Sequence, residues 1–136
     1  MLPSINKTTT TGAKVSEELW RDSSVYTELM VSSYGRVKER SYRKVIPQKD
    51  GSFRVYEVPA KIIPPTVNTV SGDVQVSFES KGRWTNENVD FLVATEFVKN
   101  ENPTEYTRLT HIDGNKANVK ASNLCWTRPG ILANVK

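Results

Sequence analysis

The stretch TRLTHIDGNKANVKASNLCW, residues 107–126, holds the chain's one histidine, His111, beside a loop carrying Asp113, Gly114, Asn115 and Asn118. Imidazole titrates near neutral pH, so at a strand end it is suited to take a proton from water. Hydrolysis of a phosphodiester asks for such a base, for a cation to offset charge on the phosphate, and for a rigid frame around both. Short Asp and Asn side chains bond their own backbone and hold tight loops, which supplies the frame. Asn123, at the start of the returning strand, is placed to fix that loop or to orient the imidazole through its amide. The plain structural alternative is that His111 and the asparagines only close a hairpin.

Other chemistries find less support. Cys125 is the single cysteine, which excludes an internal disulfide and every multi-cysteine zinc site. It lies between Leu124 and Trp126 with no basic neighbour in sequence to favour a thiolate, and reads as a buried structural thiol. No glycine-rich phosphate loop and no paired carboxylates appear, so a sugar- or nucleotide-processing enzyme has nothing to rest on.

Charge points to a polyanion without demanding one. Lys and Arg number 19 against 15 acidic residues, a net charge of +4 with a pI near 9.2. In GRVKERSYRK, residues 35–44, the cations Arg36, Lys38, Arg40, Arg43 and Lys44 outnumber the lone Glu39. On a strand over 36–40, Arg36, Lys38 and Arg40 share one face, a spacing able to track DNA phosphates. The bland alternative is a solvated strand face.

The elements that must position these residues follow from patterning. Residues 1–16 are rich in Thr, Ser and Lys without apolar periodicity, and order is expected from Glu18-Leu19-Trp20. Strands are expected over 25–31 and 36–40, joined by Ser32-Ser33-Tyr34-Gly35, and over 53–58 after a Lys-Asp-Gly turn. Pro59, Pro64 and Pro65 confine the next segment to edge strands or loops. TVNTVSGDVQVSFES carries a hairpin signal at Ser71-Gly72-Asp73. From Thr85 the period changes: Val89, Leu92, Val93 and Phe97 fall at helical spacing, with Thr85 or Asn86 as the N-cap. Strands over 106–111 and 123–127 then flank the Asp-Gly-Asn loop, and Pro129 opens a short helix towards Lys136.

A length of 136 residues with 37% apolar composition fits one domain, or two small modules sharing a core. The division read here is a flexible arm over 1–17, a β-rich module over 18–84, and a helix with a strand-loop-strand-helix motif over 85–136. No apolar run approaches the ~18 residues that span a bilayer. The N-terminal residues show no secretory signal, so no membrane partner and a cytoplasmic location are expected.

HIDGNKANVKASNLCW resembles the HNH nuclease motif of phage and intron-associated homing endonucleases, in which strand, loop, strand and helix form the ββα-metal fold. NVDFLVATEFV is similar to the helix that precedes this motif. LWRDSSVYTELMVSSYGRVKER is similar to the nuclease-associated module that accompanies it, with Trp, Tyr, Val-Ser and Gly-Arg-Val landmarks in order. The resemblance covers roughly residues 19–128 and is least specific over 45–84. It implies an α+β fold and DNA hydrolysis or nicking with Mg²⁺ or Mn²⁺, His111 as general base and Asn123 as the structural asparagine.

The implied metal positions depart from the family. Asp, Asn or His usually precedes the base, whereas here it is Thr110, a poor substitute for a carboxylate on Mg²⁺. The second ligand falls at Leu132 without a gap, or at Asn134 if Pro129-Gly130 shifts the register. Asp90-Phe91 replaces a His-Arg pair on the preceding helix, and Asp90 restores a carboxylate from that direction. The alternative implied by these departures is a degenerate descendant that binds DNA, or a protein partner, as a regulator or inhibitor.

Overall fold

The computed structural model describes residues 17–129. The arm through residue 16, the closing helix after Pro129, and the positions Leu132 and Asn134 lie outside the described residues. Within them the chain is mixed α+β, strand-rich with one α-helix.

The first sheet shows how alternation builds the core. Strands β1 (Trp20–Asp22), β2 (Leu29–Ser32) and β3 (Val37–Glu39) pair antiparallel. Opposing Leu29 to Glu39 and Val31 to Val37 gathers Leu29, Val31 and Val37 on one face, and all three are buried. Full burial of such side chains stabilises by ~1.5–3 kcal/mol each. The strand expected over 25–31 begins only at Leu29. Before it, Ser23 Oγ accepts from the amides of Val25 (3.1 Å) and Tyr26 (3.0 Å), a side-chain turn that competes successfully with extension.

Strands β4 (Tyr42–Pro47) and β5 (Phe53–Val58) form a hairpin in which every residue but Val58 is exposed. β5 is the strand expected over 53–58, whereas its partner β4 carries no strand signal in sequence. β6 (Lys61–Ile62) then returns to the free side of β3. β7 (Thr66–Val67), β8 (Val74–Ser80) and β9 (Arg83–Asn88) make a three-stranded sheet in the order β9-β8-β7. The hairpin expected at Ser71-Gly72-Asp73 is the β7–β8 connection.

The strongest correction concerns the start of the helix. Helical spacing predicts an N-cap at Thr85 or Asn86, but residues 83–88 are β9, and α1 runs Val89–Phe97 with Asn88 in the cap position. Lys81 (φ 52°) and Gly82 (φ 78°) form a two-residue turn with both central residues at positive φ, the geometry that suits a right-twisted hairpin. β9 then pairs residue for residue with β8, and side-chain bonds from Ser77 to Asn86 and from Gln75 to Asn88 reinforce the ladder. Long-range pairing therefore overrides local helical preference until the ladder ends.

From Val89 onward the expected helix face is the observed one. Val89, Leu92, Val93 and Ala94 are buried, and Phe97 is partly so. They join Leu29, Val31, Val37, Ile63, Val76, Phe78, Val119 and Leu124 in one apolar cluster. β10 (Arg108–His111) and β11 (Leu124–Thr127) form the last antiparallel pair. A single 3-10 turn, Ala121–Asn123, leads into β11. No helix among the described residues is long and apolar enough to cross a membrane.

Candidate active site

His111 is the last residue of β10, opposite Leu124. Beyond it the chain turns sharply: Gly114, at φ +76°, donates its amide to the His111 carbonyl at 2.8 Å, and Ile112 donates to the Asn123 carbonyl at 2.8 Å. Asp113 is the hub of the loop. Its Oδ1 accepts from the Asn115 amide (2.8 Å) and Asn123 Nδ2 (3.0 Å), and its Oδ2 accepts from Asn118 Nδ2 (3.0 Å). The Asn118 bond, then the Asn115 amide and the Asn123 side chain, hold the Asp113 carboxyl below the usual carboxylate range.

Asn123 is buried and uses both ends of its amide. Oδ1 accepts from the Asp113 amide at 3.0 Å, while Nδ2 also donates to the Asn118 carbonyl at 2.9 Å. That same carbonyl lies 3.2 Å from His111 Nδ1. A carbonyl only accepts, so Nδ1 is the donor in this contact, and Nε2 is the nitrogen turned to the other side. Asn123 thus orients the imidazole indirectly, through a backbone atom.

Nε2 meets a carboxylate. Asp90, in the first turn of α1, places Oδ2 2.9 Å from it, with the two side chains 15% and 9% exposed respectively. Five residues, Asp90, His111, Asn118, Asn123 and Asp113, therefore form one connected hydrogen-bonded chain. The loop is pinned from outside as well. Lys116 Nζ donates to the Ser71 carbonyl (2.8 Å) and lies 3.5 Å from Asp73, while the Ala121 amide donates to the Ser33 carbonyl at 2.9 Å.

A cleft of about 350 Å³ opens here, lined by Asp73, Asp90, Phe91, Arg108, His111 and Lys116 among others. Larger clefts of about 550 Å³ at the end of α1 and about 510 Å³ beside Glu28, Glu39 and Glu79 contain no histidine. Chemistry, not size, marks the smaller one.

The sequence-predicted residues divide. His111, Asn123 and Asp90 come together. Thr110, by the alternation of β10, projects to the other face, where its hydroxyl lies 2.9 Å from that of Thr127, so it does not join them. Asn134 lies outside the described residues. Among those described, no group of three His, Cys, Asp or Glu side chains converges. The donor set fits a hard divalent cation only in an open form, one carboxylate with water and substrate oxygens completing the shell. Asp90 is the carboxylate beside His111; Asp73 is taken up by Lys116.

The basic stretch is split between two elements. Arg36, Lys38 and Arg40 do share a face of the first sheet, together with Trp20 and Asp22. Arg36 forms a two-pronged pair with Glu18 (2.9 and 2.6 Å), and Lys38 Nζ lies 4.3 Å from the centre of the Trp20 ring. Arg40 donates to the Thr27 carbonyl at 3.3 Å and stands 3.8 Å from Asp22. Arg43 and Lys44 are on β4, on opposite faces of the hairpin, Arg43 with Glu57 at 3.6 Å. Two cations of the cleft, Arg108 and Lys116, were not singled out from sequence. Neither stands in a charged run, which is the signal that drew attention to residues 36–44. Asn118 acts on the imidazole through its carbonyl, which leaves no mark in sequence at all.

No family model matches the chain. An uncharacterized HNH endonuclease of Acanthamoeba polyphaga mimivirus is 30% identical over 122 residues, which is 87% of this chain and 26% of the relative. The chain therefore spans about a quarter of that protein's length. Among solved structures, one described as showing DNA binding and cleavage by the HNH homing endonuclease I-HmuI superposes with a TM-score of 0.61 at 23% identity. The match covers 85% of this chain and 55% of that one. The likeness to that structure is one of fold.

Proposed function

Because this chain belongs to the HNH endonuclease family, we propose that it is a phage-type DNA endonuclease or nicking enzyme that hydrolyses a phosphodiester bond with His111 as general base. The observation that carries this reading is the anchoring of His111 Nδ1 on the Asn118 carbonyl, itself held by Asn123. With Nδ1 protonated and the ring fixed, Nε2 is the nitrogen that can take a proton from water as its oxygen attacks phosphorus and the phosphodiester P–O bond breaks. A base held in one orientation loses little to misalignment, which is what the Asp113 hub contributes.

Asp90 would hold Mg²⁺ or Mn²⁺ in this reading, with water and substrate oxygens completing the shell; Asn134, the other oxygen donor expected from sequence, lies outside the described residues. The chemistry such a cation supplies when bound is neutralisation of charge on the phosphate. Asp90 also faces Nε2, so its carboxylate has to turn from the ring before a water can stand there. Arg36, Lys38, Arg40, Arg43 and Lys44 contribute DNA backbone contacts, Lys44 from the outward face of β4. The second reading, a degenerate DNA- or protein-binding regulator, draws on the engagement of Thr110 with Thr127; the comparisons do not favour it.

The test is cleavage of supercoiled plasmid with Mg²⁺ or Mn²⁺. The wild-type chain is expected to yield nicked or linear product, and His111→Ala to be slower by ~10²–10⁴-fold, the usual contribution of a general base. Equal, near-zero activity in both would end the catalytic reading and leave the regulator.

A further inference from the structure

We infer that the hairpin of β4 and β5 seats in the major groove of duplex DNA by the face carrying Lys44, Ile46, Arg54 and Tyr56, an inference that rests on the endonuclease reading above. The hairpin stands off the core. None of its residues belongs to the apolar cluster, and every strand residue but Val58 is exposed. A two-stranded hairpin without cover is marginal in water, so its shape rests on its own turn. The Gln48 amide donates to the Ser52 carbonyl at 2.7 Å, and the Gly51 amide donates to the Gln48 carbonyl at 3.1 Å. Asp50 Oδ1 accepts from the Ser52 amide (2.9 Å) and hydroxyl (2.6 Å). The result is a defined ribbon with both faces open.

Alternation sorts the charge between those faces. The cross-strand pairs Tyr42–Val58, Lys44–Tyr56 and Ile46–Arg54 lie on one face, and Arg43–Glu57, Val45–Val55 and Pro47–Phe53 on the other. On the second face Arg43 stands 3.6 Å from Glu57, and the rest is apolar, so it carries no net charge. The first face holds two cations and no carboxylate. Neither Lys44 nor Arg54 forms an ion pair among the described residues. The Arg54 guanidinium instead donates to the Tyr56 hydroxyl at 3.4 Å. At the root, Tyr42 borders the cleft of Glu28, Glu39 and Glu79, so the stretch open to a polyanion is the outer one. A major groove about 12 Å wide admits a two-stranded β-ribbon. Its floor offers what this face asks for: guanine acceptors for a guanidinium fork, and thymine methyls for Ile46. Phosphates at the groove edge suit Lys44 and the Tyr56 hydroxyl. Contact with the backbone alone would leave Ile46 with nothing to meet.

The test blocks the groove and leaves the phosphates alone. Two pools of short mixed-sequence duplexes are titrated in EDTA, one with ordinary cytosine and one with glucosylated hydroxymethylcytosine, whose sugar fills the major groove. The wild-type chain is expected to bind the glucosylated pool ~5-fold or more weakly, the lower end for loss of one good base contact. The double variant Lys44→Ala with Arg54→Ala is expected to bind the ordinary pool more weakly and the two pools alike. Neither side chain touches the apolar cluster, so the fold is kept. Arg128→Ala, whose guanidinium is matched by Glu105 at 2.6 Å, should keep the full discrimination. Wild type binding both pools alike, or the double variant discriminating as strongly as wild type, would overturn the inference and leave the endonuclease reading standing. A dimer in sedimentation that the double variant dissolves would assign the face to a second copy of the chain, and the inference falls. If the wild-type chain has no affinity for either pool at low salt, the endonuclease reading itself fails and this inference with it.

Discussion

Asp90 Oδ2 lies 2.9 Å from His111 Nε2, across a gap of 21 residues in sequence, so the nitrogen that a base offers to water faces a carboxylate. Nδ1 is already committed to the Asn118 carbonyl. Both edges of the ring thus face acceptors, and whatever His111 does depends on where Asp90 stands.

Replacing Asp90 by Asn tests that dependence. The amide keeps the shape but loses the anionic oxygen that a hard cation prefers. If Asp90 is the metal-holding carboxylate, Mg²⁺ affinity by calorimetry falls and cleavage drops by ~10–100-fold, the scale seen when groups around a metal site are removed. Unaltered divalent binding in Asp90→Asn would remove Asp90 from that role.

Asn123→Ala strips three hydrogen bonds from a buried position and leaves the Asp113 amide without its side-chain acceptor. A buried polar group left unpaired costs ~1–3 kcal/mol. A urea midpoint lowered by that amount is expected, together with a changed His111 ring-proton spectrum, since the carbonyl that holds Nδ1 is no longer held itself. A full-strength midpoint would show that the loop closes without this amide.

Asp113 sets an acid limit on the loop. Its carboxyl is held below its usual value by Asn118, Asn115 and Asn123. A depressed native value means that the unfolded chain binds the proton more readily. The contribution to stability is therefore fully present above the usual value of ~3.9 and is lost as pH falls through the depressed one. Asp113→Asn should flatten the fall in urea midpoint below about pH 4 relative to wild type. Parallel curves for the two chains would assign the acid sensitivity to other carboxylates.

Gly35 connects the first sheet to the site. A Cβ there would lie 2.5 Å from Val119 Cγ2 and 3.0 Å from the Val119 carbonyl oxygen, with φ at +93°. Gly51, at φ +90°, has nothing within 4 Å of such a Cβ. Gly51→Ala reports backbone strain alone, ~1–2 kcal/mol at a left-handed position. Gly35→Ala adds overpacking and is expected to cost a further ~1–3 kcal/mol. It should also disturb the His111 spectrum, because Val119 follows the residue whose carbonyl holds the ring. Equal melting losses for the two variants would show that Val119 yields freely.

Several features were legible in sequence because their causes are local. The alternation of Leu29 and Val31, the helical spacing of Val89, Leu92 and Val93, and the Asp-Gly-Asn turn after His111 each need only a few consecutive residues to be read. β4 and β9 were not legible in this way. Tyr42–Pro47 is fully exposed in a hairpin and so shows no alternation of buried and exposed positions, and Arg83–Asn88 is held extended by its pairing with β8, not by its own preferences.

The same division runs through the site. Residue type and order alone single out His111 as the candidate proton acceptor and Asn123 as the loop's anchor, because the sequence holds one imidazole and short polar side chains close loops locally. Which atoms those residues touch was decided by packing. The fold brings Asp90 to Nε2, routes Asn123 to the ring through a backbone carbonyl, and turns Thr110 to the other face of β10. Each of these depends on where α1 and the loop settle on the shared apolar cluster, and hydrogen bonds between residues far apart in sequence leave no periodicity along the chain.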